Sequence, residues 1–139
     1  MKIKLSKTQS YFLGILAVVI VCAFIYREKQ KSFTNILKKS RYTIGNISKI
    51  NYYKGDDYYH YEYYYNNILL VAGISESSSN NLFVGKRYFV VFEEGNPENS
   101  MLIPFLFVPD SITKAPAEGW QEPPIPIDKN EIKKFLDSY

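Results

Sequence analysis

Cysteine, histidine and tryptophan each occur once among the 139 residues of this chain. The lone Cys22 excludes an internal disulfide framework and a multi-cysteine zinc site. The lone His60 leaves any metal centre short of ligands. Asp56, Asp57 and Glu62 lie near it in sequence, but Asp56-Asp57 is accounted for as turn chemistry, so no metal and no cofactor is expected. A phosphate-cradling loop is also missing: Gly85-Lys86-Arg87 has no glycine at the upstream spacing, and Gly85 serves a turn. Ser77-Ser78-Ser79 lies in a polar loop with no base fixed nearby, so a nucleophilic triad has no support. No internal repeat is present. The length leaves room for one small domain and one appended segment, which excludes a two-domain enzyme. With no catalytic constellation, the chain reads as a non-enzyme.

The charge is unevenly placed. Residues 1–10 hold Lys2, Lys4 and Lys7 and no acid, and residues 27–41 hold six basic residues against Glu28 alone. From residue 42 onward, 8 basic residues face 13 acidic ones. A nucleic-acid binder needs its cations on the folded domain, so nucleic acid is excluded as a partner.

Between the two basic stretches, Thr8 to Tyr26 form 19 residues without a charge. At the helical rise they span roughly 28 Å, close to the hydrocarbon thickness of a bilayer. Tyr11 and Tyr26 bracket the apolar core at headgroup level. Residues 8–26 are therefore expected to be a transmembrane helix after a basic tail (1–7), with the lipid bilayer as a partner. One rival is a signal peptide cleaved around Val21-Cys22-Ala23, yet no polar stretch precedes that site and the apolar run continues beyond it. A lipoprotein would need a small residue where Val21 stands. Orientation has opposing indications. More Lys and Arg follow the helix than precede it, but the N-tail is signal-like and a long C-terminal domain is exported largely regardless of charge. The reading taken is an extracytoplasmic domain. Residues 27–40 make a basic juxtamembrane stalk, with Phe33, Ile36 and Leu37 on one helical face. Its cations suit either anionic headgroups or a solvated spacer.

From Arg41 the period becomes strand-like. Five strands are expected over 41–108: Arg41–Tyr53, Tyr58–Tyr65, Ile68–Ser75, Lys86–Glu94 and Met101–Val108. Gly45 reads as a bulge or bend, Lys54-Gly55-Asp56-Asp57 and Asn66-Asn67 as hairpin turns, Glu76–Asn81 as a polar loop, and Gly95-Asn96-Pro97 as a break. Pro104 implies an edge position or a bulge. The fold class is mainly β: an N-terminal transmembrane helix, then a small five-stranded antiparallel sheet or open barrel. A proline-rich tail and short C-terminal helix complete it (109–139). The fourth strand is apolar on both parities, so one of its faces needs a cover. The tail, with Pro109, Pro116, Pro123, Pro124 and Pro126, is the candidate, pinned by Trp120. Asp128 starts the closing helix in a capping-box-like pattern with Glu131.

Eight of the thirteen tyrosines fall between Tyr52 and Tyr65. In a strand, Tyr59, Tyr61, Tyr63 and Tyr65 face one side, and Tyr58, His60, Glu62 and Tyr64 the other. One reading is β-propensity with cross-strand aromatic pairing. The functional reading makes Tyr59, Tyr61, Tyr63 and Tyr65 a rigid aromatic binding surface for a protein, peptide or glycan. On that reading, exchanging the row for serine abolishes capture and spares the fold.

The segment Val84-Gly85-Lys86-Arg87-Tyr88-Phe89-Val90-Val91-Phe92, followed by Asn96-Pro97-Glu98-Asn99-Ser100, resembles a pattern in an uncharacterised bacterial family of small membrane-anchored proteins with a compact β domain. The stretch Val108–Trp120 is similar to the tail of such proteins. The resemblance implies architecture, a bacterial inner-membrane location and no catalytic residues. The function expected is a membrane-tethered, non-enzymatic β module that binds an envelope protein or glycan through its aromatic hairpin. An accessory subunit of a larger membrane complex and a small enzyme are the alternatives.

Overall fold

The computed structural model of the chain describes residues 6–77 and 82–139. The N-tail lysines Lys2 and Lys4, and residues 78–81 of the expected polar loop, lie outside the described residues. Two compact units are present, one ending at Thr34 and the other spanning Asn35–Tyr139.

Helix α1 (Lys7–Lys38) runs unbroken through both the expected anchor and the stalk. It opens with a reciprocal cap: Gln9 N donates to Ser6 Oγ (3.3 Å), and Ser6 N donates to Gln9 Oε1 (3.1 Å). The helix is long and apolar enough to cross a membrane, and its apolar residues from Tyr11 to Tyr26 are exposed. Ile36 is buried in the second unit.

The second unit contains β1 (Ser40–Asn51), β2 (Asp56–Tyr65), β3 (Ile68–Ser77), β4 (Arg87–Glu93), β5 (Asn96–Phe107) and α2 (Lys129–Asp137). The strands form one antiparallel sheet in the order β3-β2-β1-β4-β5, curled into a half-barrel. The edge strands β3 and β5 approach within 8 Å between Cα atoms. Asn66 and Asn67 take φ of 48° and 65° in a two-residue turn, the geometry that matches the twist of a hairpin. Pro104 meets both of its expectations. It lies on an edge strand, within the bulge where β5 uses Leu102 to Phe107 to pass Val90 to Tyr88.

Three local expectations are corrected. Gly45 is paired on both sides, with Tyr63 and Tyr88, and the bulge in β1 falls instead between Ile47 and Lys49. Gly45 is required by space, because a Cβ there would sit 2.5 Å from Val90 Cγ2. Asp56 and Asp57 leave the turn and join β2, opposite Ser77 and Glu76. The break expected at Gly95-Asn96-Pro97 narrows to a turn at Glu94-Gly95, with Gly95 at φ 86°, and Asn96 and Pro97 already belong to β5. Proline is tolerated there because an edge strand leaves one side of its backbone unpaired.

The concave face is filled by Ile47, Tyr59, Tyr61, Tyr63, Ile74, Tyr88, Val90, Phe92 and Leu102, all buried. The convex face of β4 and β5 is buried too (Phe89, Val91, Met101, Ile103), so a second layer covers it. Trp120, 6.0 Å from Phe89 between ring centroids, brings that layer from the tail, and Phe135 of α2 meets Phe105 at 5.6 Å. Helix α2 starts at Asp128, whose carboxylate accepts from Asn130 N (2.8 Å), and it buries Ile132 and Leu136. It reaches from β5, through Phe135, to β3, where the Tyr139 hydroxyl donates to Ser75 O (2.6 Å) and to the Glu76 carboxylate.

Candidate functional site

The row expected to form a binding surface is turned inward. Tyr59, Tyr61 and Tyr63 are 3%, 0% and 1% exposed, and Tyr65 is half-buried with its ring 5.4 Å from that of Phe92. Strand pairing dictates this: Tyr63 opposes Gly45 and Tyr61 opposes Ile47, so the row shares the concave face with the core. Tyr61 and Tyr63 stack at 5.8 Å and reach across the half-barrel to β5. The Tyr63 hydroxyl donates to Pro97 O (2.6 Å), and that of Tyr61 bonds Ser100 Oγ (3.1 Å). Burial pushes the Tyr61 hydroxyl well above the ordinary tyrosine value and raises that of Tyr63, and the interaction with Ser100 offsets part of each shift. Tyr59 is raised by burial first and by the Asp57 carboxylate second. These side chains are structural. A serine triple replacement would remove the core, so the expectation of an intact fold is withdrawn.

The opposite parity supplies the surface. On the convex side of the β2–β3 hairpin, Tyr64 pairs with Leu69 and Glu62 with Val71. Tyr64 is 58% exposed and Val71 62%, so apolar side chains face outward from the middle of a strand. Farther along this face the Tyr58 ring lies over Gly73, filling the space that a Cβ would take, and meets His60 edge-on at 4.9 Å. His60 Nε2 is 2.9 Å from Asn51 Nδ2. Asp56, His60 and Glu62 share the parity of the convex face, while Asp57 is on the concave one, so strand parity takes Asp57 out of the imagined ligand set. Among the described residues no three His, Cys, Asp or Glu side chains group closely enough to hold a metal ion.

Beside Tyr64 the tail builds a strap. At one end the Arg87 guanidinium donates to Ile112 O (2.7 Å) and Pro109 O (3.3 Å), with Asp110 Oδ1 at 3.6 Å. At the other end Trp120 and Tyr42 exchange two backbone hydrogen bonds of 2.8 Å, and Asn66 N donates to Ala117 O (2.7 Å). Gly119 makes this anchor possible: it holds φ 77°, and a Cβ would lie 2.7 Å from Tyr42 O. Between the anchors, Thr113–Pro116 bridges the convex face of β1 and leaves a groove of about 840 Å³. Its lining includes Ile44, Asn46, Tyr64, Asn67, Lys114 and Trp120. The expected pinning by Trp120 is thus present. The groove itself was missed, because Asn46, Asn67 and Lys114 meet only in the folded unit. One signal was available: Lys114 is the sole charge in the run 111–117.

Compared with protein-family models, curated proteins and solved structures, the chain matches none.

Proposed function

We propose that this protein is a single-pass membrane-tethered β module without enzymatic activity, which captures a protein partner in the bacterial envelope through the convex face of its β2–β3 hairpin. The observation that carries the reading is exposed apolar surface. Along α1 the side chains from Tyr11 to Tyr26 that would be buried in a soluble core helix all face outward, which a bilayer resolves. On the hairpin, Tyr64, Leu69 and Val71 face outward from regular strand, where a monomeric soluble domain ordinarily places polar groups. Extracytoplasmic placement of the β unit belongs to the same proposal. It is supported by the short basic segment ahead of the apolar run.

The test is site-specific photo-cross-linking in native membranes, with a photoreactive residue replacing Val71 in the full chain. The reading predicts one discrete protein adduct, lost when Leu69→Ser is added and kept when Lys49→Ser is added instead. Adducts only to lipid or to a second copy of the chain would contradict it.

A further inference from the structure

We infer that the groove beneath the strap is a second binding site, adjoining the hairpin face at Tyr64, and that its ligand is a saccharide chain carrying carboxylate groups. Three observations lead there. First, the groove is preformed: the strap is fixed at both ends by backbone and guanidinium hydrogen bonds, so opening it is not a cost of binding. Its volume of about 840 Å³ falls inside the range typical of small-ligand sites, roughly 300–1,000 Å³.

Second, the groups on offer suit sugars. Tyr64 and Trp120 line the groove, and aromatic rings pack favourably on sugar C–H groups. The side-chain amides of Asn46 and Asn67 each supply donors and an acceptor for hydroxyls, and neither has a partner among the described residues. A peptide is disfavoured, because the strand-type backbone groups nearest the strap are already used. Tyr42 N–H and C=O are both taken by Trp120, and Asn66 N–H by Ala117 O, leaving no free edge there for an added strand.

Third, the charge has one sign. Arg87 and Lys114 line the groove and no Asp or Glu does. Arg87 is committed to the strap and faces the exposed Asp110, whereas Lys114 has no ion-pair partner among the described residues. In a unit whose chain is acidic from residue 42 onward, a carboxylate-free groove with an unpaired ammonium at its rim selects an anion.

The test uses the full chain in detergent micelles and reads the fluorescence of Trp120, the only tryptophan. The probes are a uronic-acid tetrasaccharide, its methyl ester and tetraglutamate. The inference predicts a saturable emission change with the acid tetrasaccharide and binding of the ester weaker by about tenfold or more, as expected when a hydrogen bond to a charged group is lost. Lys114→Gln is expected to reduce affinity for the acid to that for the ester, and Asn46→Ala to weaken both saccharides alike. Both substitutions are at exposed side chains, and unchanged circular dichroism confirms that the fold is kept. No saturable change with the acid saccharide, equal affinity for acid and ester, or tighter binding of tetraglutamate would each overturn the inference. None of these outcomes bears on cross-linking from position 71.

Discussion

Tyr63 does two jobs with one side chain: its ring fills the concave face and its hydroxyl holds the carbonyl of Pro97 on the far edge strand. The two contributions separate by substitution. Tyr63→Phe removes the hydrogen bond alone and is expected to cost about 1 kcal/mol. Tyr61→Ala removes a whole buried ring and is expected to cost about 3–5 kcal/mol. Urea unfolding of the detergent-solubilised chain, followed by near-ultraviolet circular dichroism, measures both. The same residues set a pH dependence. Folding holds the hydroxyls of Tyr59, Tyr61, Tyr63 and Tyr139 above their ordinary value. As pH rises past about 10, the unfolded chain therefore releases these protons before the folded one does. Their stabilising effect is complete below about pH 10 and declines as pH climbs through the raised values. The urea midpoint should fall above that point, and fall less steeply in Tyr61→Phe. Titration of every tyrosine near pH 10 with the fold intact would contradict the burial.

The alternation of this row was legible in the sequence, but its direction was not. Both parities of β2 are aromatic, and β3 is apolar on both sides at Leu69, Leu70 and Val71. A period of two then specifies two faces without saying which is inside. Pairing with Gly45 and Ile47 of β1 decides it, and that information is tertiary.

At the scale of the element, turn chemistry was the most readable feature. Asn66-Asn67, the Asp128 cap and Pro104 all behave as their residue types dictate, since each acts on its own backbone. The same logic misled at Gly45 and at Asn96-Pro97, where turn-forming residues serve a sheet. Gly45 sits where β1 must pass closest to Val90 and Tyr61 as the sheet curls. Gly45→Ala is expected to destabilise by about 1–3 kcal/mol, the usual cost of overpacking. The loss should shrink when Val90→Ala supplies the missing space, because the two positions share one contact. A double-mutant cycle in urea measures it, and strict additivity would show that Gly45 is kept for another reason. The strap was half legible: its prolines and Trp120 implied an extended segment lying on the sheet, while the groove beneath depends on Asn46 and Asn67 from elements distant in sequence.

At the scale of the whole molecule, the account depends on α1. Nineteen residues without a charge, bounded by Lys7 and Arg27, lie in helix α1, and the side chains among them are all exposed. The tether, the placement of the β unit and the identity of its partners follow from where that helix resides. The rival is a cleaved segment, which would release the β unit from the bilayer altogether. Alkaline carbonate extraction of membranes from cells making the chain, with the mass of the recovered protein, separates the two most directly. The account predicts the uncleaved chain in the membrane pellet after extraction. Recovery in the supernatant, or as a shorter chain beginning after Ala23, would contradict it.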